Sequence, residues 1–227
     1  MNVDPITLAV VLALVALVPL AAVMTTSFLK IAVVLALVRN ALGVQQVPPN
    51  MALYGLALVL SAYVMAPVIN EIGASLRHDS AVYSNESRIA PPDASTVQLT
   101  GILRALENGA APMQAFMLRN SNPEQRDFFM RTAQRLWGAE QASKLQETDL
   151  LVLIPAFLVS ELTAAFQLGF LLYLPFIVID LIVSNILLAM GMMMVSPVTI
   201  SMPLKLFLFV MVDGWTRLIQ GLVLSYR

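Results

Sequence analysis

The chain has 227 residues, 59% of them hydrophobic and 12% charged, where soluble globular chains carry roughly 45–50% apolar and about 25% charged residues. A net charge of −1 gives no electrostatic reason to seek phosphate backbones, and a mean hydropathy of +0.80 argues against a disordered chain, a nucleic-acid binder or a standard cytosolic enzyme. The absence of cysteine removes disulfides, thiolate metal sites and cysteine nucleophiles together, and the single histidine, His78, makes histidine-based chemistry improbable.

The charge is unevenly placed. Residues 71–149 hold eight of the 13 Lys+Arg and ten of the 14 Asp+Glu, so a polar insert separates two apolar arms. The expected division is 1–70, 71–149 and 150–227. In the first arm Ile6 to Leu29 is uncharged, Lys30 follows, and Ile31 to Val38 precedes Arg39. Met51 to Ile69 is a second uncharged run. A bilayer core needs about 20 apolar residues as helix, and both runs are long enough. Between them Pro48-Pro49 cannot continue a helix, and Asn50 stands where the helix from Met51 wants an N-cap. The arm reads as a helical hairpin. No Lys or Arg precedes the first run, and that run exceeds a normal signal-peptide core, so the N-terminus is expected to be retained. Lys30 and Arg39 place the short connection in the cytoplasm and the insert outside.

The insert reads as helical and soluble. Asp93 or Ser95 caps a segment whose Leu99, Ile102, Leu103 and Leu106 share one face. Asn122-Pro123-Glu124 is a start signal for a helix through Phe128, Phe129 and Leu136 that stops near Gly138. Ala90-Pro91-Pro92-Asp93 and Asn108-Gly109 are breakers.

In the second arm Glu161, Asp180, Lys205, Asp213 and Arg217 interrupt apolar sequence, and Pro155, Pro175, Pro197 and Pro203 punctuate it. An ionisable group in an apolar helix costs about 2.5–3.5 kcal/mol at the bilayer centre on insertion scales. Glu161, Asp180 and Lys205 therefore either pair across helices or subunits, line an aqueous path, or sit at helix ends in the headgroup zone. Asp213 and Arg217, four apart, need no more than a surface pair on one helix. Small residues at four-residue spacing (Ala156, Ser160 and Ala164; Ala165 and Gly169; Ala57 and Ser61) suit close helix packing. Six of the 13 methionines fall between residues 190 and 211. Met192, Met193 and Met194 in a row point in three directions around a helix, and Gly191 and Pro197 permit a break around them. In several copies around an axis they would form a compliant hydrophobic plug; singly, such methionines are ordinary filler.

No H-E-x-x-H, G-x-S-x-G, P-loop or G-x-G-x-x-G occurs, so no catalytic, cofactor-binding or metal-ligating residue is assigned and no enzyme is expected. The residues alone lead to an oligomeric all-α membrane protein with broken helices. Three readings stand: a pore, a secondary transporter, or a scaffold whose channel other subunits make. The transporter usually shows matching breaks in two related halves, and these arms are unrelated.

Two long blocks carry a resemblance. The first is Phe28-Leu29-Lys30-Ile31 with Leu37-Val38-Arg39-Asn40-Ala41-Leu42-Gly43 and Pro48-Pro49-Asn50-Met51 through Leu56. The second is Ile154-Pro155-Ala156-Phe157, Ser160-Glu161-Leu162, Phe166 to Phe170, Leu174-Pro175-Phe176, Asp180, and Asn185 through Met194 to Pro197 and Lys205. They resemble the SctR/FliP export-apparatus proteins of bacterial type III secretion, in the injectisome form. The resemblance implies helical hairpins in a pentameric ring around a central channel, joined by S-type and T-type and also U-type and V-type subunits. It implies an export gate for unfolded secreted proteins in the bacterial inner membrane, in contact with lipid, with the insert periplasmic and no cofactor or nucleic acid. It makes Met192, Met193 and Met194 a channel gasket, with Gly191 and Pro197 as its hinge. Glu161, Asp180 and Lys205 are then the pairs that hold the ring.

Overall fold

The computed structural model describes residues 5–44, 47–86, 110–138 and 145–226. The helix expected from Asp93 or Ser95 through Leu106, with its flanking breakers, lies outside the described residues. Among those described no strand occurs, and the fold is all-α. The helices are α1 Pro5–Thr25, α2 Phe28–Ala41, α3 Asn50–Glu86, α4 at 110–120, α5 Pro123–Trp137, α6 Leu150–Ala189, α7 Pro197–Met211 and α8 Gly214–Leu224.

The long uncharged run at the N-terminus is divided between α1 and α2 at Thr25-Thr26-Ser27, a break that a reading by charge does not register. Its cause is local: Thr25 and Thr26 hydroxyls bond back to the carbonyls of Ala21 and Ala22 at 2.8 and 2.5 Å, a competition with the helix ladder that bends helices. Asn50, expected as a cap, is instead the first residue of α3. Its side-chain oxygen accepts from Arg39 Nη1, which also reaches the Pro48 carbonyl. In the second arm Pro155 and Pro175 lie inside an unbroken α6, since neighbouring helices and local adjustment absorb the lost bond of an intrahelical proline. The chain breaks at 190–196 and at Val212-Asp213, where α7 and α8 bend by 62°.

Clustering of contacts divides the chain into two compact units: Met1–Thr26 with Met65–Ser160, and Ser27–Val64 with Glu161–Arg227. In the first, Phe116, Met117, Val152, Leu153 and Phe157 are buried, with the Phe116 and Phe157 rings edge-on at 5.9 Å. Each such side chain contributes about 1.5–3 kcal/mol when fully buried. α5 opens on Asn122, whose side chain accepts from the Glu124 amide at 2.9 Å, with Pro123 next and Gly138 past its end. The Asn122 amide donates to Ser160 Oγ at 2.8 Å, which ties the start of α5 to α6. None of the described residues in the apolar window of α1 is buried, and an apolar surface of that kind calls for lipid or partner protein around it.

The second unit is built on stripes at helical spacing: Ile31, Val34, Leu35 and Val38 on α2; Leu53, Ala57 and Ser61 on α3; Glu161, Ala165 and Gly169 on α6; Ser201, Lys205 and Phe209 on α7; Gly214, Leu218 and Leu222 on α8. At Gly169 α6 comes close to Leu37 of α2. A Cβ placed there would lie 2.3 Å from Leu37 Cδ1 and 3.2 Å from Leu37 Cβ.

Alanine at Gly169 gains up to about 1 kcal/mol of helix propensity but overpacks Leu37 at a cost of about 1–3 kcal/mol. Gly169→Ala is therefore expected to lower the thermal midpoint in detergent. Combined with Leu37→Ala, the loss should be smaller than the sum of the two single changes.

Candidate functional site

Two polar clusters sit inside the second unit. In the first, α2 supplies Lys30, α6 supplies Glu161, and the turn after α8 supplies Tyr226. Lys30 Nζ lies 3.1 Å from Glu161 Oε1, with side chains only 5% and 2% exposed. The ammonium also lies 3.5 Å from the centroid of the Tyr226 ring, close enough for a cation–π contact. The Tyr226 hydroxyl donates to Glu161 Oε2, and the Ser27 carbonyl lies 3.2 Å from the same hydroxyl. Ser27 Oγ donates to Ser61 Oγ at 3.1 Å. Burial first, and then the neighbouring Glu161 carboxylate, push the Tyr226 phenol well above its ordinary pKa. It therefore keeps its proton and acts as a donor. Both carboxylate oxygens of Glu161 are engaged, which is the condition under which a buried ion pair is tolerated.

The second cluster joins α6 to α7. Lys205 Nζ donates to Asp180 Oδ2 at 2.6 Å and to the Ala41 carbonyl at 3.2 Å, one of the terminal carbonyls that α2 leaves without an intrahelical partner. A cation at a helix C-terminus also meets the negative end of its dipole. Fully buried Ser201 donates to Asp180 Oδ1 at 2.5 Å. The Lys205 side chain is 4% exposed and that of Asp180 32%.

Of the charged residues singled out in the sequence, Asp180 and Lys205 are together, whereas Glu161 meets neither and pairs with Lys30. Lys30 carries the same sequence signal as Glu161, a lone charge between apolar runs. Tyr226 and Ser201 carry none, because a tyrosine after a helix and a serine within one are commonplace. Asp213 and Arg217 do not pair. Asp213 stands at the N-cap of α8 with a left-handed φ of 52°, and its carbonyl accepts from the Arg217 amide at 3.1 Å, so the two are joined through the backbone of the first turn and not through their charges.

Between α6 and α7 the chain turns through residues 190–196. Gly191, at φ +73°, closes α6: its amide bonds to the Leu188 carbonyl at 3.0 Å, and the Met192 amide to that of Leu187 at 2.9 Å. This pair of bonds is the Schellman closure that favours glycine. A Cβ at Gly191 would meet nothing within 4 Å, so the requirement there is backbone angle and not room. Pro197 opens α7 as its first residue. Met192, Met193 and Met194 lie on this turn, 44%, 82% and 101% exposed.

Among the described residues three helices are long and apolar enough to cross a membrane, and the bent pair α7–α8 is a fourth candidate. Such helices, with charges paired in their interior, define a membrane protein of broken spans. The chain matches the FliP family over residues 11–222. It is 51% identical to Yop proteins translocation protein R of Yersinia pestis over 223 residues, 98% of this chain and 97% of the relative. Harpin secretion protein HrcR of Erwinia amylovora is 47% identical, and virulence protein YscR of Salmonella typhimurium 45%, each over the same shares. The chain belongs to the FliP family of type III secretion export-apparatus proteins.

Removing one member of a buried pair leaves the other uncompensated, at about 3–5 kcal/mol. Lys30→Met or Glu161→Gln alone should therefore sharply reduce the yield of folded protein in the membrane, and the double variant should recover part of it. Tyr226→Phe keeps the ring but loses a hydrogen bond to a charged group, worth about 1.5–3 kcal/mol. A smaller drop in thermal midpoint is expected.

Proposed function

We propose that this protein is a core subunit of the type III secretion export gate, injectisome branch. Several copies, a pentamer with S-type and T-type subunits and alongside U-type and V-type subunits, enclose a channel for unfolded proteins across the bacterial inner membrane. The three segments 1–70, 71–149 and 150–227 serve as hairpin, periplasmic insert and gasket-bearing hairpin. Driving energy comes from other proteins. This subunit gates passively.

The observation that carries the reading is the methionine turn. Three consecutive thioethers stand exposed on a short segment held between a glycine-closed α6 and a proline-opened α7. Exposed apolar side chains at a hairpin tip lack a stabilising environment in one chain. Gathered around an axis they provide one for each other. Methionine suits such a seal because its unbranched side chain adapts to whatever passes, and an apolar constriction closes to ions by dewetting. The Asp180–Ser201–Lys205 cluster braces the two helices that lead into and out of the turn, and the Lys30–Glu161–Tyr226 cluster fixes the helices behind them.

Replacing Met192, Met193 and Met194 together by alanine should leave the mass of the detergent-extracted complex unchanged while raising ion leakage across the membrane. Unchanged conductance would leave the subunit a scaffold, and a monomer under all extraction conditions would remove the channel reading altogether. Asp180→Lys, which sets two like charges against each other, should abolish both assembly and secretion.

A further inference from the structure

The described methionines range from buried to exposed, with Met211 at the end of α7 67% exposed, and the extremes are instructive. Met65 and Met117 are 2% and 0% exposed, while Met190, Met192, Met193 and Met194 are 63%, 44%, 82% and 101% exposed. Four thioethers within five residues are thus open to water on a turn whose backbone is fixed by the Gly191 closure.

A thioether is nucleophilic at sulfur whatever the pH, and hydrogen peroxide transfers one oxygen to it. The O–O bond breaks and a sulfur–oxygen bond forms. Sulfur is oxidised by two electrons, and the second peroxide oxygen leaves as water. The product, methionine sulfoxide, is polar and returns to the thioether through methionine sulfoxide reductases, one for each epimer. An apolar seal works because water does not wet it. A ring of sulfoxide dipoles is wetted.

We infer that the Met190–Met194 turn is a reversible oxidation site at which peroxide converts the seal into a leaking, hydrated constriction. The inference rests on the gate reading above and adds a chemical means of switching it. Its selectivity comes from the water of the channel on either side of the seal, which reaches the turn but not the packed Met65 and Met117. Met51, 83% exposed at the start of α3, oxidises as well but stands away from the turn in sequence and serves as the internal control.

The assembled complex, extracted from membrane and reconstituted in liposomes, is treated with graded hydrogen peroxide, and peptide mass spectrometry follows each methionine beside ion flux. Oxygen should appear on residues 190–194 and on Met51 well before Met65 and Met117. Flux should rise several-fold in step with the turn and return after sulfoxide reductase. A Met190→Leu, Met192→Leu, Met193→Leu, Met194→Leu variant keeps apolar bulk without sulfur and should stay tight under peroxide. Met51→Leu should leak under peroxide as the parent does. Flux that stays flat while the turn is fully oxidised overturns the inference, as does a turn that oxidises no faster than Met117. The unoxidised alanine variant separates the two claims: if it leaks and the oxidised parent does not, the gate stands and the switch falls. If neither leaks, the gate itself falls.

Discussion

A charge placed among hydrocarbon side chains must find an opposite charge and enough hydrogen bonds to replace the water it has lost, and the second unit is arranged around that demand. Lys30 and Glu161 meet inside it, Tyr226 completes the second carboxylate oxygen and covers the ammonium with its ring, and Ser27 and Ser61 satisfy each other alongside. Because every partner comes from a different segment, the cluster fixes α2, α3, α6 and the turn after α8 in one mutual register. Apolar packing alone is non-directional and would tolerate a slip of one turn. A misregistered pair of buried charges would not.

The same logic recurs at lower burial in the Asp180–Ser201–Lys205 cluster, and there it serves a neighbouring element. α6 and α7 are consecutive and joined by a short turn, so an ion pair across them closes the neck of a hairpin. The Ala41 carbonyl brings the end of α2 to the same ammonium. The methionine turn thus extends from a braced base, with its side chains exposed and its start closed by the Gly191 and Met192 amide bonds.

Much of this was legible in the sequence where the cause is local. Asn122-Pro123-Glu124 announces α5 because a cap, a first-turn proline and an acid act within one helical turn. The concentration of charge in residues 71–149 is plain in the sequence, while the compact units divide the chain elsewhere, after Thr26, Val64 and Ser160. What was not legible depends on residues far apart in the chain or on backbone detail. Glu161 marks itself as needing a partner, but nothing local names Lys30 or Tyr226. The small-residue spacing of Ala165 and Gly169 signals close approach without identifying Leu37. The break after Thr25 falls inside a run without charge, so a reading by charge alone passes over the polar Thr25-Thr26-Ser27 triplet. Asp213 and Arg217 mislead for a different reason: spacing predicts a charge pair, and with Asp213 left-handed at the N-cap the two are joined through the backbone instead. The role proposed for the methionines rests on the family resemblance, since composition alone leaves them equal to filler.

The separation of Lys30 from Glu161 by 131 positions also sets an order of events during biosynthesis. Ribosomes add roughly 5–20 residues per second, so the nascent lysine waits on the order of 10 s before its counter-ion has been made, and longer for the phenol that covers it. During that interval α2 cannot rest at the centre of a bilayer, and its ammonium must reach towards the headgroups on its flexible stem. Final burial of the amino group is therefore a late step, taken only when the distant carboxylate arrives to neutralise it.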